Sequence, residues 1–218
     1  MINNIGKLNE AIFFFKKLAE NEPRSNEYGE YVGKKGYNFD EFQYYVDAFL
    51  CSVRSITEHL LCDYAKYFNL KYNNPDKLNF KKFKDLAAKS NNAQAQKFIS
   101  DFERRLISLK NSDENYKFMM ELRDTTVHKG PIEYTYAIEP KDFRLKQLDG
   151  WNHKYNNKFI FLDDPLLSES AHLLTAVQRC RRFLKAIKSF IYGVHADYPI
   201  TYSSLPPPPP MMVKKRTA

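Results

Sequence analysis

The sequence predicts an all-α protein, an up-and-down bundle of four to six helices with a β-hairpin insertion before the last long helix. Apolar residues recur every three or four positions through most of the chain, which is typical of helices with one buried face. The period changes to two over 132–139, and an apolar run follows at 159–162, as in paired strands. We predict one domain over 1–203 with the hairpin at about 132–163, followed by a proline-rich disordered tail over 204–218.

The first half of the chain predicts four helices. The first covers 3–20, and its apolar stripe is Ile5, Leu8, Ile12, Phe15 and Leu18. The second covers 40–68, near 40 Å at about 1.5 Å per residue, and would be the spine of the bundle. Its Cys51 and Cys62 have no CxxC spacing, so we interpret them as reduced core residues. A short basic helix with Phe80, Phe83, Leu86 and Ala87 inward precedes a helix over 91–110.

The remaining helices are bounded by capping residues and prolines. A fifth helix should begin at the hydroxyl cap Ser112 and end before Gly130 and Pro131, antiparallel to the helix before it. Asp164 and Pro165 should open the last helix, which Gly193 should end. The apolar stripe of that helix is Leu166, Leu173, Val177, Cys180, Leu184, Ile187 and Ile191.

Composition and motifs narrow the function classes. The net charge of +8 and the isoelectric point near 9.2 suit a polyanionic partner. No apolar run is long enough for a membrane span and the N-terminus is polar, so we expect a cytoplasmic protein without membrane contact. The motifs GxSxG, HExxH, GxGxxG and GxxxxGK[ST] are absent, and the five histidines show no metal-ligand spacing. We therefore expect metal-independent acid–base chemistry, with neither a metal nor another cofactor.

The stretch 122–131 carries the strongest candidate for a site. The apolar phase of its helix runs through Tyr116, Met119, Met120 and Val127 and also includes Arg123. A guanidinium on a buried stripe needs carboxylates, carbonyls or an anionic ligand. Asp124 lies four residues before His128, so its carboxylate can orient the imidazole as a base. Residues five apart point about 140° away from each other, so Arg123 and His128 converge only if the last turn unwinds or a second subunit contributes, which predicts a homodimer through this helix.

Arg123, a polar residue, three further residues and His128 resemble the signature of HEPN domains, all-helical proteins of which many are metal-independent endoribonucleases in toxin and phage-defence systems. The resemblance implies that Arg123, Asp124 and His128 are catalytic and that RNA is the substrate. It also implies an antitoxin or another regulatory protein as a partner. RNA cleavage without a metal would leave a 2′,3′-cyclic phosphate and a 5′-hydroxyl.

Basic and aromatic residues are candidates for RNA contacts beyond the motif. The cations that would follow the phosphates are Lys81, Lys82, Lys84, Arg104, Arg105, Arg181, Arg182 and Lys185. Tyr134, Tyr136 and Trp151 in the hairpin are candidates for stacking on bases, although such aromatics also pack on bundles.

Three alternatives stay open from the sequence. Arg123 could pair with a core carboxylate such as Asp47, Asp63 or Asp101 while His128 only ends a helix. The domain could be a non-catalytic HEPN-like module that binds a nucleotide or RNA, or that serves as a scaffold. The proline tail could make the protein a helical interaction module.

Overall fold

The computed structural model describes residues 3–22, 39–72, 78–128, 134–137, 158–161 and 174–200. These residues are mostly helical, which confirms the predicted all-α class. Their six helices are α1 (Asn3–Glu20), α2 (Phe39–Tyr67), α3 (Phe80–Lys89), α4 (Ala93–Ser112), α5 (Glu114–His128) and α6 (Ala176–Asp197). The first two agree with the predicted helices to within one residue.

Three helices form the frame of the bundle. Helices α1 and α2 run antiparallel, since Asn4 at the start of α1 contacts Asp63 late in α2, and Phe15 lies 6.2 Å from Phe49. Helix α6 runs parallel to α2, because Phe49 contacts Phe183 whereas Tyr64 contacts His195. These three helices form part of a helical bundle, and the up-and-down order of all six helices stays a prediction.

Phe98 is the centre of an aromatic cluster that joins four helices. Its ring lies 4.2 Å from Tyr64 of α2, 5.5 Å from Phe83 of α3 and 5.2 Å from Tyr198, just after α6. Tyr64, Phe83 and Phe98 are fully buried. Because burial of one such side chain stabilises the fold by about 1.5–3 kcal/mol, this cluster holds the short helix α3 against the bundle.

Two short strands follow α5. Strands β1 (Tyr134–Ala137) and β2 (Lys158–Phe161) pair antiparallel, with Tyr134 opposite Phe161. Phe161 is fully buried and its ring lies 5.9 Å from Phe118 of α5. Residues 138–157 lie outside the described part of the chain, so the hairpin insertion over 132–163 stays a prediction, as does the tail over 204–218.

The predicted start of α5 is wrong by about two residues. Ser112 is the last residue of α4, and the side chain of Asp113 caps α5 by accepting from the amide of Tyr116 at 2.9 Å. The amide of Asp113 also donates to Leu109, so one residue closes α4 and opens α5. A carboxylate suits this position, since it also faces the positive end of the α5 dipole.

The last helix begins and ends later than predicted. Residues 164–165 lie outside the described part of the chain, and α6 begins at Ala176 behind a capping box formed by Thr175 and Gln178. Gly193 does not end it, because α6 continues to Asp197. A Cβ atom on Gly193 would lie 2.9 Å from Nη1 of Arg105, so glycine leaves room for that side chain, which pairs with Asp197.

The cysteines follow the sequence interpretation in part. Cys62 is buried as predicted, whereas Cys51 is exposed, because α2 buries only one face and Cys51 lies on another. None of the described helices combines the length and the apolarity that crossing a membrane requires.

A polar chain closes the end of the bundle where α1 starts. Asn4 donates to Asp63 through its amide nitrogen at 2.7 Å, so its amide oxygen is left to accept from Nε2 of His195 at 3.3 Å. Nδ1 of His195 then faces the hydroxyl of Tyr64 at 3.1 Å. The hydroxyl of Tyr64 donates to the carbonyl of Tyr198 at 2.5 Å, so the imidazole of His195 lies between the hydroxyl oxygen of Tyr64 and the amide oxygen of Asn4. Burial lowers the pKa of His195, although the charge of Asp63 raises it in part.

We expect His195 to make the protein less stable as the pH falls below about 6.5, the ordinary pKa of histidine. Since its pKa is lower in the folded state, the unfolded chain binds the proton more tightly, and stability present above that pH is lost as the pH drops through the folded pKa. His195→Gln should flatten this decline in urea unfolding between about pH 7.5 and about pH 5. Parallel profiles for the two proteins would contradict the assignment.

Candidate functional site

Helix α5 turns one continuous face towards the rest of the bundle. Tyr116, Met119 and Arg123 are buried, as the stripe predicts, and Phe118 and Leu122 widen the buried face. The ring of Tyr116 lies 5.5 Å from Phe183 of α6. Arg123 is therefore a charged residue placed among apolar neighbours on the protein-facing side of its helix.

The guanidinium of Arg123 is incompletely satisfied. Its side chain is 7 % exposed, and Nη1 forms an ion pair with the carboxylate of Asp124, the next residue. Its Nε is buried and has no hydrogen-bond partner within the described part of the chain. A buried donor without a partner costs about 1–3 kcal/mol, so this nitrogen is a position at which an acceptor would stabilise the protein.

Asp124 is the anchor of this guanidinium, in place of the three core carboxylates that the sequence suggested. Its side chain is 58 % exposed, so solvent screens the ion pair with Arg123. Asp101 instead accepts from the hydroxyl of Tyr198, and Asp63 accepts from Asn4. Asp47 has a buried Oδ1 without a hydrogen-bond partner among the described residues, and burial raises its pKa. The ion pair of Arg123 is thus local to α5.

The backbone of α5 limits how Arg123 and His128 can cooperate. The helix stays α-helical through His128, its last residue, so the last turn does not unwind to bring the two residues together. On a regular helix they point about 140° apart and are separated by about 7.5 Å along the axis. The side chain of His128 lies outside the described part of the structure, and its contact with Asp124 stays a prediction. Of the two solutions foreseen from the sequence, unwinding of the last turn is not observed, and the second subunit stays a prediction.

A second buried arginine contacts α5, and the sequence analysis missed it. Arg179 of α6 is buried, and its Nη1 donates to the side-chain oxygen of Asn115 at 3.1 Å. The side-chain nitrogen of Asn115 donates back to the carbonyl of Arg179 at 3.2 Å. The guanidinium also lies over the ring of Phe118, 5.0 Å from its centroid. Arg179 therefore joins α6 to the first two turns of α5.

The spacing of apolar residues along α6 could have predicted that Arg179 is buried. It follows Ala176 by three residues and precedes Phe183 by four, and both of these are fully buried or nearly so. An arginine in phase with such residues should face the protein. Asn115 could not be found in the same way, because an asparagine in the first turn of a helix is most often exposed or a cap.

The eight cations proposed for RNA lie on three helices. Lys81, Lys82 and Lys84 lie on α3 and are exposed, but Lys84 pairs with Glu103 at 2.9 Å. Arg104 and Arg105 of α4 pair with Asp101 and Asp197. The three on α6 are Arg181, Arg182 and Lys185, which are exposed and form no ion pair with the other described residues. The guanidinium of Arg181 lies over the ring of Phe15 of α1, 5.8 Å from its centroid. The side chains of Tyr134, Tyr136 and Trp151 lie outside the described part of the structure.

The described residues contain no cluster of three or more His, Cys, Asp or Glu side chains arranged to hold a metal ion. Arg123 and Asp124 supply hydrogen bonding and charge to the described part of the site. His128 is the last residue of α5.

We expect Asn115→Ala to lower the free energy of unfolding by about 2 kcal/mol, because a hydrogen bond to the buried charge of Arg179 is lost. Lys117→Ala changes an exposed residue of the same helix and should stay within about 0.5 kcal/mol of wild type. Urea unfolding followed by circular dichroism measures both. Equal effects of the two substitutions would show that the Asn115–Arg179 contact does not hold α5 in place.

Comparisons with family models, with curated proteins and with solved structures gave no match to this chain.

Proposed function

We propose that this protein is a metal-independent endoribonuclease of the HEPN type, a toxin or phage-defence effector that acts at a dimer interface. The observation that carries the proposal is the guanidinium of Arg123. It is almost fully buried on α5, it is anchored by one exposed carboxylate, and its Nε has no acceptor in the described part of the chain. A phosphodiester would supply oxygen acceptors to such a group.

Arg123 would stabilise the charge that grows on the phosphoryl oxygens. The 2′-hydroxyl of RNA attacks the adjacent phosphorus, and the bond from phosphorus to the 5′-oxygen breaks. The two non-bridging oxygens carry most of the negative charge in between, and a fixed guanidinium fork matches their geometry. Asp124 acts as a positioning residue in this scheme, because its ion pair holds the guanidinium in one orientation.

His128 would move the protons. Its imidazole removes the proton of the 2′-hydroxyl, and His128 of the partner subunit donates a proton to the leaving 5′-oxygen. The products are a 2′,3′-cyclic phosphate and a 5′-hydroxyl. The C-terminal end of a helix favours a cation, which suits a histidine that is protonated during the cycle.

A homodimer through α5 completes the proposal. The regular helix keeps Arg123 and His128 of one chain apart, and a two-fold axis beside α5 would place Arg123 of one subunit near His128 of the other. An antitoxin or regulatory protein that binds this seam would control the activity. The same proposal includes a cytoplasmic location and a β-hairpin insertion between α5 and α6.

Arg123→Gln and His128→Ala should each lower RNA cleavage by at least about 100-fold, because one removes the charge stabilisation and the other the proton transfer. Arg54→Gln makes the same chemical change at an exposed arginine and should leave cleavage unchanged. The measurement is mapping of RNA ends after incubation with each protein, with size-exclusion chromatography as the control for the dimer.

Cleavage by wild type that stops in EDTA, or that leaves 5′-phosphate ends, would contradict the metal-independent mechanism. Wild type that binds RNA or a nucleotide but never cuts it would favour the alternative, a non-catalytic HEPN-like module. Loss of folding in Arg123→Gln, with full activity of His128→Ala, would reduce Arg123 to a structural residue.

Mixed dimers test the position of the site. A dimer of one wild-type chain and one His128→Ala chain keeps a single imidazole at the seam, so no site has both the base and the acid. Such a dimer, purified with two different affinity tags, should cleave RNA far below half of the wild-type rate. Retention of about half of that rate would contradict a site shared between subunits while leaving the chemistry of Arg123 and His128 intact.

A further inference from the structure

An open groove with a basic lining runs along one face of α6. Its volume is about 320 Å³, and it is lined by Arg181, Leu184, Lys185, Lys188, Ser189 and Tyr192. Arg181 is two residues from Arg179, so the groove lies about 160° around the helix from the side that contacts α5. This surface is therefore separate from Arg123 and from the contact between α5 and α6.

The cations of the groove form a straight stripe. Arg181, Lys185 and Lys188 are spaced by four and three residues, which keeps them within about 60° of one another around the helix. None of the three forms an ion pair with another described residue, in contrast to Lys84, Arg104 and Arg105. Like charges at this spacing repel each other and destabilise a helix, and a bound polyanion would reverse that effect.

An aromatic side chain stands at the end of the same stripe. Tyr192 follows Lys188 by four residues and is 59 % exposed. Its ring is available for stacking, and the buried Leu184 gives the groove an apolar floor. Cations that follow a backbone and an aromatic face that stacks on a base are the combination by which proteins hold single-stranded nucleic acid. The stripe from Arg181 to Tyr192 is about 16 Å long.

We infer that the groove residues Arg181, Lys185, Lys188 and Tyr192 bind a single-stranded RNA, with the three cations on successive phosphates and Tyr192 stacked on a base. The choice of RNA rests on the proposed function, while the groove itself does not. The inference replaces the broad basic track of eight cations by one helical stripe. It adds Lys188 and Tyr192, and it leaves out Arg182 and the cations of α3 and α4, of which Lys84, Arg104 and Arg105 are ion-paired.

The test measures binding without cleavage, using the full chain with His128→Ala and a fluorescent single-stranded RNA oligonucleotide of mixed sequence. Adding Lys185→Ala and Lys188→Ala together should lower the slope of log K against log salt by about 1.4, at about 0.7 per phosphate contact. This corresponds to a loss of roughly tenfold in affinity at physiological salt. The matched control is the pair Lys110→Ala and Lys117→Ala, two exposed lysines elsewhere, which should change affinity less than about twofold.

Substitutions of Tyr192 test base stacking independently of charge. Tyr192→Ala should weaken RNA binding at least about fivefold, whereas Tyr192→Phe keeps the ring and should bind as the parent does. Equal loss in the two lysine pairs, or equal binding by Tyr192→Ala and Tyr192→Phe, would overturn the inference. A wild type that binds with these sensitivities but leaves RNA uncut refutes the nuclease and keeps the groove. Normal cutting and binding by the groove variants refutes the groove and keeps the nuclease.

Discussion

The candidate site depends on the burial of two guanidinium groups, that of Arg123 on α5 and that of Arg179, which packs against α5. A buried guanidinium keeps its charge, so each one must be matched by oxygen acceptors or by an aromatic face. Arg179 meets this condition within the bundle, through the side chain of Asn115 and the ring of Phe118. That contact joins the start of α5 to the last helix. Arg123 is buried further along the same helix, where it pairs with Asp124.

The two buried arginines differ in how completely they are satisfied. Arg179 exchanges hydrogen bonds with Asn115 in both directions, and its charge is shielded by protein on the side of Phe118. Arg123 has an exposed carboxylate from the adjacent residue, and its Nε lacks an acceptor among the described residues. Removing one buried partner of a charge is destabilising, so the first arrangement suits a structural role. The second suits a group whose remaining acceptor comes from a ligand or another subunit.

The exposed cations also differ in whether they pair with a carboxylate. On α3 and α4, Lys84 and Arg104 lie beside carboxylates, and exposed pairs of this kind contribute between 0 and about 1 kcal/mol. On α6, Arg181, Lys185 and Lys188 form no ion pair with another described residue, so no described carboxylate neutralises them in direct contact. A net charge of +8 describes both surfaces equally, and only the positions of the carboxylates tell them apart.

By itself, the sequence determined the helical class, the course of α1 and α2, and the burial of Arg123, because apolar periodicity sets which face of a helix leaves water. It also placed His128 at the end of α5. Only the tertiary structure decided that Arg179 binds Asn115 and that Asp124 holds Arg123, since a stripe indicates a buried face without naming what lies opposite. The continuation of α6 through Gly193 was likewise decided by the tertiary structure, in which the side chain of Arg105 lies against that glycine. Periodicity along a helix indicates which face is buried, whereas packing sets the partner of a buried charge, which is 64 residues away for Arg179 and adjacent for Arg123.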